Sequence, residues 1–169
     1  MSFKEIPVKE LQFNPFTKVG KEWMLVTAGT EDAYNTMTAS WGGLGYFLDK
    51  PAATIYLRPQ RHTKTFVDAA GTFTLSFYDE KYRSALNVCG MLSGIDVPDK
   101  AENSGLTPYF VSGTTAFQEA DMIFVCKKIL HTNLHAEDFY APRNIDTFFP
   151  NRDFHTLYIS EIVKVLVKE

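Results

Sequence analysis

Alternation of apolar and polar side chains predicts most of the secondary structure of this chain. The clearest case is the segment 72–78, where Phe73, Leu75 and Phe77 fall on one face and threonine or serine falls on the other. A period of two residues is typical of a β-strand. The same pattern, bounded by glycine or proline, predicts strands at residues 22–28, 36–41, 52–57, 72–78, 121–130 and 155–168. In the last strand one face is predicted to carry Leu157, Ile159, Val163, Val165 and Val167.

Two segments instead place their apolar residues at helical spacing. The first is 63–70, with Thr63 as the expected N-cap and Gly71 as the stop. The second is 82–89, whose apolar residues recur at i, i+3, i+4 and i+7 and which is predicted to end at Gly90. Both helices are short.

The spacing of the predicted strands favours an antiparallel barrel. Several strands follow one another across gaps too short for the crossover helix that parallel strands require. Residues 91–118 are punctuated by Gly, Ser and Pro and are predicted to form a long loop. With 169 residues, the chain has the length of one domain. We therefore expect a single, mainly β domain over residues 1–169, an antiparallel, Greek-key-like barrel with short helices packed outside.

Composition and charge narrow the class of protein. A net charge of −3 gives no electrostatic basis for binding nucleic acid or an anionic membrane, so neither is expected as a partner. The first residues interleave charges with apolar side chains, unlike a signal peptide, and no apolar run approaches a membrane span. Cys89 and Cys126 match no paired motif and are predicted to be buried free thiols. These features predict a cytoplasmic protein.

One polar loop is suited to an anion. Arg58 and Arg61 precede the predicted helix at residue 63, and Thr63 and Thr65 add hydroxyls at the same end. The first turn of a helix leaves backbone N–H groups unpaired and carries partial positive charge, so a phosphate is stabilised there. An ordinary capped helix with two surface arginines would explain the same residues.

A second polar segment, 35–43, offers amide, hydroxyl and backbone groups and then Trp41. Donors and acceptors in a row suit the edge of a flat heteroaromatic ring, and FMN combines such a ring with a phosphate. The alternative is a strand in which Thr38 and Ser40 face solvent and Trp41 is a core or lid residue.

Other chemistries have weaker support in the sequence. His131 and His135 have the i, i+4 spacing of a zinc pair, but the segment around them is not predicted to be helical. Ser93 lacks the Gly-x-Ser-x-Gly context of a serine hydrolase. Neither Gly-x-Gly-x-x-Gly nor a P-loop is present. No metal site and no catalytic side chain are therefore predicted.

Five short segments form one ordered set along the chain. They are 37–43 (MTASWGG), 58–63 (RPQRHT), 73–77 (FTLSF), 85–96 (ALNVCGMLSGID) and 155–162 (HTLYISEI). In this order and spacing they resemble the flavin reductase-like family of FMN-binding split barrels, from about residue 24 to the C-terminus.

The resemblance implies a homodimer that binds FMN without a covalent bond, at or near the subunit interface. Along the flavin ring it implies contacts from Asn35, Thr36, Met37, Thr38, Ala39, Ser40 and Trp41. On the ribityl-phosphate side it implies contacts from Arg58, Gln60, Arg61 and Thr63. Two further cofactor-binding residues on the same basis are Lys100 and His155.

The chain departs from the family pattern at two places. Ile95 stands where relatives often carry a basic residue, and the triplet at 153–155 is Asp-Phe-His where many NAD(P)H-using members have Gly-Asp-His. The second departure places direct use of NAD(P)H in question. The resemblance thus implies an FMN-dependent oxidoreductase that passes electrons from NAD(P)H or another donor to free flavin, a redox protein or another acceptor. The alternatives are a flavoredoxin-type electron carrier and a split-barrel module that binds heme or another planar group.

Overall fold

Strands dominate the computed structural model, which describes residues 2–169. The strands are β1 (Phe3–Ile6), β2 (Met24–Gly29), β3 (Tyr34–Ala39), β4 (Gly42–Phe47), β5 (Lys50–Leu57), β6 (Thr72–Phe77), β7 (Pro108–Val111), β8 (Thr114–Phe117), β9 (Met122–Asn133) and β10 (Thr156–Lys168). The α-helices are α1 (Pro15–Thr17), α2 (His62–Ala69), α3 (Arg83–Met91) and α4 (Pro142–Phe148). The mainly β, antiparallel class predicted from the sequence is confirmed.

The main sheet is an antiparallel path in the order β3-β2-β6-β9-β10-β5-β4, with β1 added on β10. The two end strands of this path, β3 and β4, are consecutive in sequence and only Ser40 and Trp41 separate them. A two-residue link spans only about 10 Å, so the sheet must curl until its two edges approach each other. The result is a barrel that is split between β3 and β4.

The hydrophobic core has two parts. The barrel interior is filled from β2, β5, β6, β9 and β10, with the fully buried Val26, Ile55, Leu75, Phe124 and Tyr158 among its members. A second cluster lies on the outside of β2, β6 and β9, beneath α3 and the β7–β8 hairpin. Strand β6 is therefore buried on both faces, and Thr74 and Ser76 are as inaccessible as Phe73.

The prediction of a loop over residues 91–118 is wrong in its second half. Strands β7 and β8 form a hairpin there, connected by Ser112 and Gly113, both with positive φ. Such a two-residue turn matches the right-handed twist of the flanking strands. The strands have four residues each, too few to show a period.

The predicted face of the last strand is also wrong. In β10 the buried residues are Thr156, Tyr158, Ser160, Ile162, Val165 and Leu166, so Val165 alone of the predicted face is buried, and Val163 is 44% exposed. Register shifts against β9 follow Ile159 and Ile162. A β-bulge moves the later residues to the opposite face of the sheet, so a strict period of two fails along this strand.

The stop of the first helix at Gly71 is as predicted, but its N-cap and the end of the second helix differ from the prediction. Helix α2 has Arg61 rather than Thr63 at its N-cap and Ala70 at its C-cap, immediately before Gly71. Helix α3 continues through Gly90. A Cβ at Gly90 would lie 3.2 Å from the Thr38 Cβ, so this glycine permits α3 to approach β3. Over residues 2–169, no helix is long and apolar enough to span a membrane.

Strand β4 approaches β5 and β2 closely at its first residue. A Cβ at Gly42 would lie 2.6 Å from the Thr54 carbonyl oxygen and 3.1 Å from Met24 Cε, whereas a Cβ at Gly43 meets nothing within 4 Å. We expect Gly42→Ala to lower the free energy of unfolding by about 1–3 kcal/mol and Gly43→Ala to change it by about 0.5 kcal/mol or less. Urea denaturation measures both.

The Gly42→Ala and Gly43→Ala variants are matched because each substitution removes the same backbone freedom from the unfolded chain. The difference between the two variants then isolates the clash at position 42. Equal stabilities would contradict the described approach of β4 to β5.

Candidate functional site

Two adjoining cavities of about 150 Å³ each lie beside β3 and share Met37 and Arg61. The first, here the β3 cavity, is lined by Met37, Thr38, Ala39, Ser40, Trp41, Tyr56, Arg58, Arg61 and His155. The second, here the α2 cavity, is lined by Asn35, Met37, Gln60, Arg61, His62, Thr63, Met91, Leu92, Ser93, Gly94 and Lys100. Together they form one elongated site.

The α2 cavity is electropositive. Among the described residues that line it are two cations, Arg61 and Lys100, and no carboxylate. Burial lowers the pKa of Arg61, and Arg58 lowers it further. Burial also lowers the pKa of Lys100, with Arg61 contributing. Like charges held together without a counter-charge favour binding of an anion.

Both cations are fixed by backbone carbonyls. Lys100 is 3% exposed, and its Nζ donates to the Cys89 oxygen at 2.9 Å and the Leu92 oxygen at 2.7 Å. An ammonium group has three donors, so one remains for a ligand. The Arg61 guanidinium donates from Nη1 to the Gly90 oxygen. Both side chains are therefore oriented by the C-terminal end of α3.

Polar groups at the start of α2 complete this cavity. The Thr63 hydroxyl donates to Asn35 Oδ1 at 2.8 Å, and both residues are buried. Gly94 packs so closely that a Cβ there would lie 1.8 Å from Asn35 Nδ2. The first turn of α2 contributes unpaired backbone N–H groups, so a helix N-terminus, two hydroxyl or amide side chains and two cations converge.

The β3 cavity has the edge of a sheet as one wall. Strand β3 pairs with β2 on one side and ends the strand path on the other, which leaves backbone donors and acceptors along its outer edge. The Thr38 hydroxyl donates to the Leu86 oxygen and ties this wall to α3. Trp41 is 43% exposed and lies with its ring 5.1 Å from that of His155. A row of hydrogen-bonding groups therefore meets aromatic surface.

His155 is a neutral imidazole at the boundary of the β3 cavity. The residue is 7% exposed, and its Nδ1 finds no partner within residues 2–169. Burial lowers the pKa of His155 to about 4, with Arg58 and Arg61 lowering it further against the opposing effect of Asp153. A buried polar atom without a partner is costly, so Nδ1 is a candidate hydrogen-bond partner for a bound group.

Arg58 lines the β3 cavity together with Arg61 but, unlike Arg61, is paired with a carboxylate. Its guanidinium donates from Nη1 to Asp153 Oδ2 at 2.9 Å and from Nη2 to the Phe148 oxygen at 2.8 Å. Gln60 Nε2 donates to the same carboxylate oxygen at 2.7 Å. The hydrogen bond from Gln60 is the largest cause that lowers the pKa of Asp153, and Arg58 adds to it. Arg58 thus attaches the end of α4 to the rim of the β3 cavity.

A third cavity, here the aromatic cavity, adjoins the β3 cavity and has a volume of about 380 Å³. Its walls are Trp41, Gly42, Tyr56, Leu134, Phe139, Asn144, Phe148, Phe149 and His155. Phe154 packs behind it, against Phe139 and Phe149. Aromatic side chains of the segment 134–154 therefore cover one end of the elongated site.

The structure brings the residues predicted as cofactor contacts into this site, with Thr36 as the exception. Thr36 faces Thr27, with the two hydroxyls 2.8 Å apart, and also donates to the Val26 oxygen. Arg58, expected on the phosphate side, lies in the β3 cavity instead. The assignment of the individual residues to FMN stays a prediction.

Sequence reasoning missed several residues that line the site. They include Tyr56, His62, Met91, Leu92, Ser93 and the aromatic residues of the segment 134–154. Tyr56 gave no signal because it lies in an ordinary strand pattern. Helix α4 had one available signal, because Pro142 stands at the first helical position, where proline is favoured.

The zinc alternative receives no support from the described part of the chain. Within residues 2–169 no group of three or more His, Cys, Asp or Glu side chains is placed to hold a metal ion. His131 lies instead with its ring 5.8 Å from that of Tyr158.

A sequence model shows the family, and solved structures share the fold. The sequence model of the flavin reductase like domain matches residues 16–169. An FMN-binding domain of a flavin reductases-like enzyme from Shewanella baltica OS155 has a TM-score of 0.70 at 18% identity, covering 98% of this chain and 77% of that chain. Flavoredoxin of Desulfovibrio vulgaris (Miyazaki F) has a TM-score of 0.67 at 25% identity, covering 87% and 69%. The styrene monooxygenase flavin reductase from Pseudomonas putida S12 has a TM-score of 0.64 at 19% identity, covering 88% and 80%. No curated protein matches the sequence.

The burial of His155 predicts a specific pH dependence. Its pKa of about 4 in the folded protein lies below the usual value of 6.5, so the unfolded chain takes up a proton first as the pH falls. The stability that neutral His155 contributes is full above pH 6.5 and is lost as the pH falls towards 4. Between these values the wild type should lose more free energy of unfolding than His155→Gln, by on the order of 2–3 kcal/mol.

Chemical denaturation at a series of pH values measures this difference. The titration of the carboxylates is present in both proteins, so subtraction leaves the contribution of the histidine together with its interaction with Asp153. Parallel pH profiles would show that the imidazole is not buried as described.

Proposed function

The chain belongs to the flavin reductase like domain family, and from this premise we propose that it is an FMN-dependent oxidoreductase. Bound FMN would receive electrons from NAD(P)H or another donor and pass them to free flavin or a further acceptor. The observation that carries the proposal is the pair of adjoining cavities, one electropositive and one edged by backbone and aromatic groups.

The α2 cavity suits the phosphate of FMN. Arg61 supplies a guanidinium with donors beyond the one bound to Gly90, and Lys100 supplies an ammonium with one donor left. Thr63 adds a hydroxyl at the N-terminus of α2. An anion here would relieve the repulsion between the two cations, which makes this the phosphate end of the site.

The β3 cavity suits the flavin ring. The free edge of β3 carries alternating backbone donors and acceptors, and Trp41 and Tyr56 supply flat apolar surface. Met37 lies between the two cavities. A molecule with a flat heteroaromatic ring joined to a phosphate is long enough to need both cavities and chemically matches each of them.

The flavin would supply the electron-transfer chemistry, and the protein would supply binding, orientation and electrostatics. Residues of β3 fix the ring edge through the backbone, while Arg61 and Lys100 hold the charged tail. His155 remains neutral at pH 7 because its pKa is lowered to about 4. It can therefore donate a hydrogen bond to a bound group, or accept one from it, without adding a charge.

A second candidate function is a flavoredoxin-type electron carrier that binds FMN without turning over a nicotinamide. It is supported by Phe154, which occupies the acidic position of the Gly-Asp-His triplet and packs into the aromatic cluster behind the third cavity. Anaerobic mixing of the FMN-loaded protein with NADH or NADPH separates the two candidates. Rapid bleaching of the flavin absorbance would support the reductase, and an unchanged spectrum would support the carrier.

The proposal includes a homodimer. Met91, Leu92 and Ile95 are 82%, 40% and 68% exposed, and the first two line the α2 cavity. Exposed apolar side chains at the mouth of a site are typical of a surface that a partner covers. A second copy seated there would close the phosphate end against solvent. The cytoplasm stays the predicted compartment, in keeping with the two buried free thiols.

Addition of FMN to the purified protein tests the proposal directly. Binding should perturb the visible absorbance of the flavin and quench its fluorescence. A colourless protein that leaves the spectrum of added FMN unchanged would contradict the proposal and favour a split-barrel module for another planar ligand.

Arg61→Ala should weaken FMN binding by roughly 10–150-fold and weaken riboflavin binding much less. The physical reason is that only FMN carries the phosphate that Arg61 would meet. Fluorescence titration with both flavins measures the two dissociation constants, and riboflavin is the matched control. Equal losses for the two ligands would place Arg61 away from the phosphate.

Trp41→Ala should weaken the binding of FMN and of riboflavin to the same degree, by about 5–10-fold. Both ligands carry the ring that Trp41 contacts in the proposed site. The same titrations measure the effect. A loss confined to FMN, or no loss at all, would show that the ring does not lie against this side chain.

A further inference from the structure

We propose that the aromatic cavity is the binding site of a second ligand, an uncharged planar ring compound that carries a hydroxyl or carbonyl oxygen. The role of this ligand as an electron donor to bound FMN, or as an electron acceptor from it, rests on the proposed function. Its binding to the cavity does not, because the walls belong to the protein alone.

The size and composition of the cavity match a small aromatic molecule. Its volume of about 380 Å³ lies in the range of ligand sites. Five of its walls are aromatic side chains, namely Trp41, Tyr56, Phe139, Phe148 and Phe149. The Trp41 and Phe148 rings meet edge to face with centroids 5.7 Å apart. Aromatic walls of this kind favour a flat apolar ligand through stacked and edge contacts.

One buried polar group faces this apolar space. His155 lines both the aromatic cavity and the β3 cavity and is only 7% exposed. Its Nδ1 has no hydrogen-bond partner among residues 2–169. A neutral imidazole has one donor and one acceptor nitrogen, so it pairs with a hydroxyl or carbonyl oxygen. A ligand without such an oxygen would leave the histidine unsatisfied.

The charges around the cavity argue against an ionic ligand. No Lys, Arg, Asp or Glu is among the described residues that line it. Arg58 lies 5.6 Å from the centre of the Phe149 ring, but its guanidinium is already paired with Asp153 and with the Phe148 oxygen. A carboxylate, or the pyrophosphate of a dinucleotide, would be desolvated there without a free cation.

The position of the cavity relates it to the proposed FMN site. Trp41, Tyr56 and His155 are walls of both the aromatic and the β3 cavity. The α4 end that closes the aromatic cavity is held by Arg58, which donates from Nη2 to the Phe148 oxygen and is itself paired with Asp153. A ring compound bound here would therefore lie beside the molecule in the β3 cavity and separate from the phosphate end.

A pair of size-matched compounds tests the inference. Isothermal titration at pH 7 of the full chain, with and without saturating FMN, uses 2-naphthol, which is uncharged, and 2-naphthoate, which is anionic. We expect 2-naphthol to bind with a dissociation constant on the order of 100 µM and 2-naphthoate to bind at least about 10-fold more weakly.

Two variants locate the binding. Phe148→Ala should weaken the binding of 2-naphthol about 5-fold, while Phe110→Ala should leave this binding unchanged. The two phenylalanines are matched, at 46% and 43% exposed, and Phe110 lies on β7 outside the cavity. His155→Phe keeps an aromatic wall and removes the polar partner, so it should weaken the binding of 2-naphthol about 5–10-fold.

Several results would overturn the inference. They are absence of 2-naphthol binding, preference for 2-naphthoate, equal effects of the two phenylalanine variants, no effect of His155→Phe, and displacement of 2-naphthol by FMN. The last result would assign the aromatic cavity to the flavin ring itself. FMN binding without 2-naphthol binding would defeat this inference alone, whereas 2-naphthol binding without FMN binding would defeat only the proposed function.

Discussion

The two-residue link between β3 and β4 is the constraint on which the rest of the structure depends. These strands are the opposite ends of the sheet path, and Ser40 and Trp41 alone join them. The sheet must therefore curl, yet its two edges do not pair. The unpaired edge of β3 becomes a wall of the site, and Trp41 stands at its end. The same geometry that makes the barrel split also supplies backbone hydrogen-bonding groups for a ligand.

The two ends of the site differ in charge because Arg58 is paired with a carboxylate and Arg61 is not. Arg61 and Lys100 are held by carbonyl oxygens, which orient them without cancelling their charge. Arg58 is paired with Asp153, and this pair also fixes the end of α4. One end of the site is thus electropositive, and the other is neutral and aromatic. This division supports a phosphate-tailed cofactor at the first end and an uncharged ring at the second.

The sequence predicted the architecture where local pattern and burial agree. Clean alternation in β6 and the short gaps between strands were enough for the antiparallel class. The prediction failed where tertiary contacts override the local pattern. The bulge at Val163 in β10 reverses its buried face, and the β7–β8 hairpin is stabilised by packing on the second cluster rather than by its own period. Gly90 was predicted as a helix stop because contact with Thr38 leaves no local signal.

The amino-acid sequence by itself determined the family, the mainly β class and the polar segments 35–41 and 58–63, because these are properties of order, spacing and residue type. Only the tertiary structure decided which side chains meet. It paired Arg58 with Asp153, turned Thr36 towards Thr27, and placed aromatic residues of the segment 134–154 beside the β3 cavity. Such pairings join residues as many as 95 positions apart, and no local pattern encodes a distance of that kind.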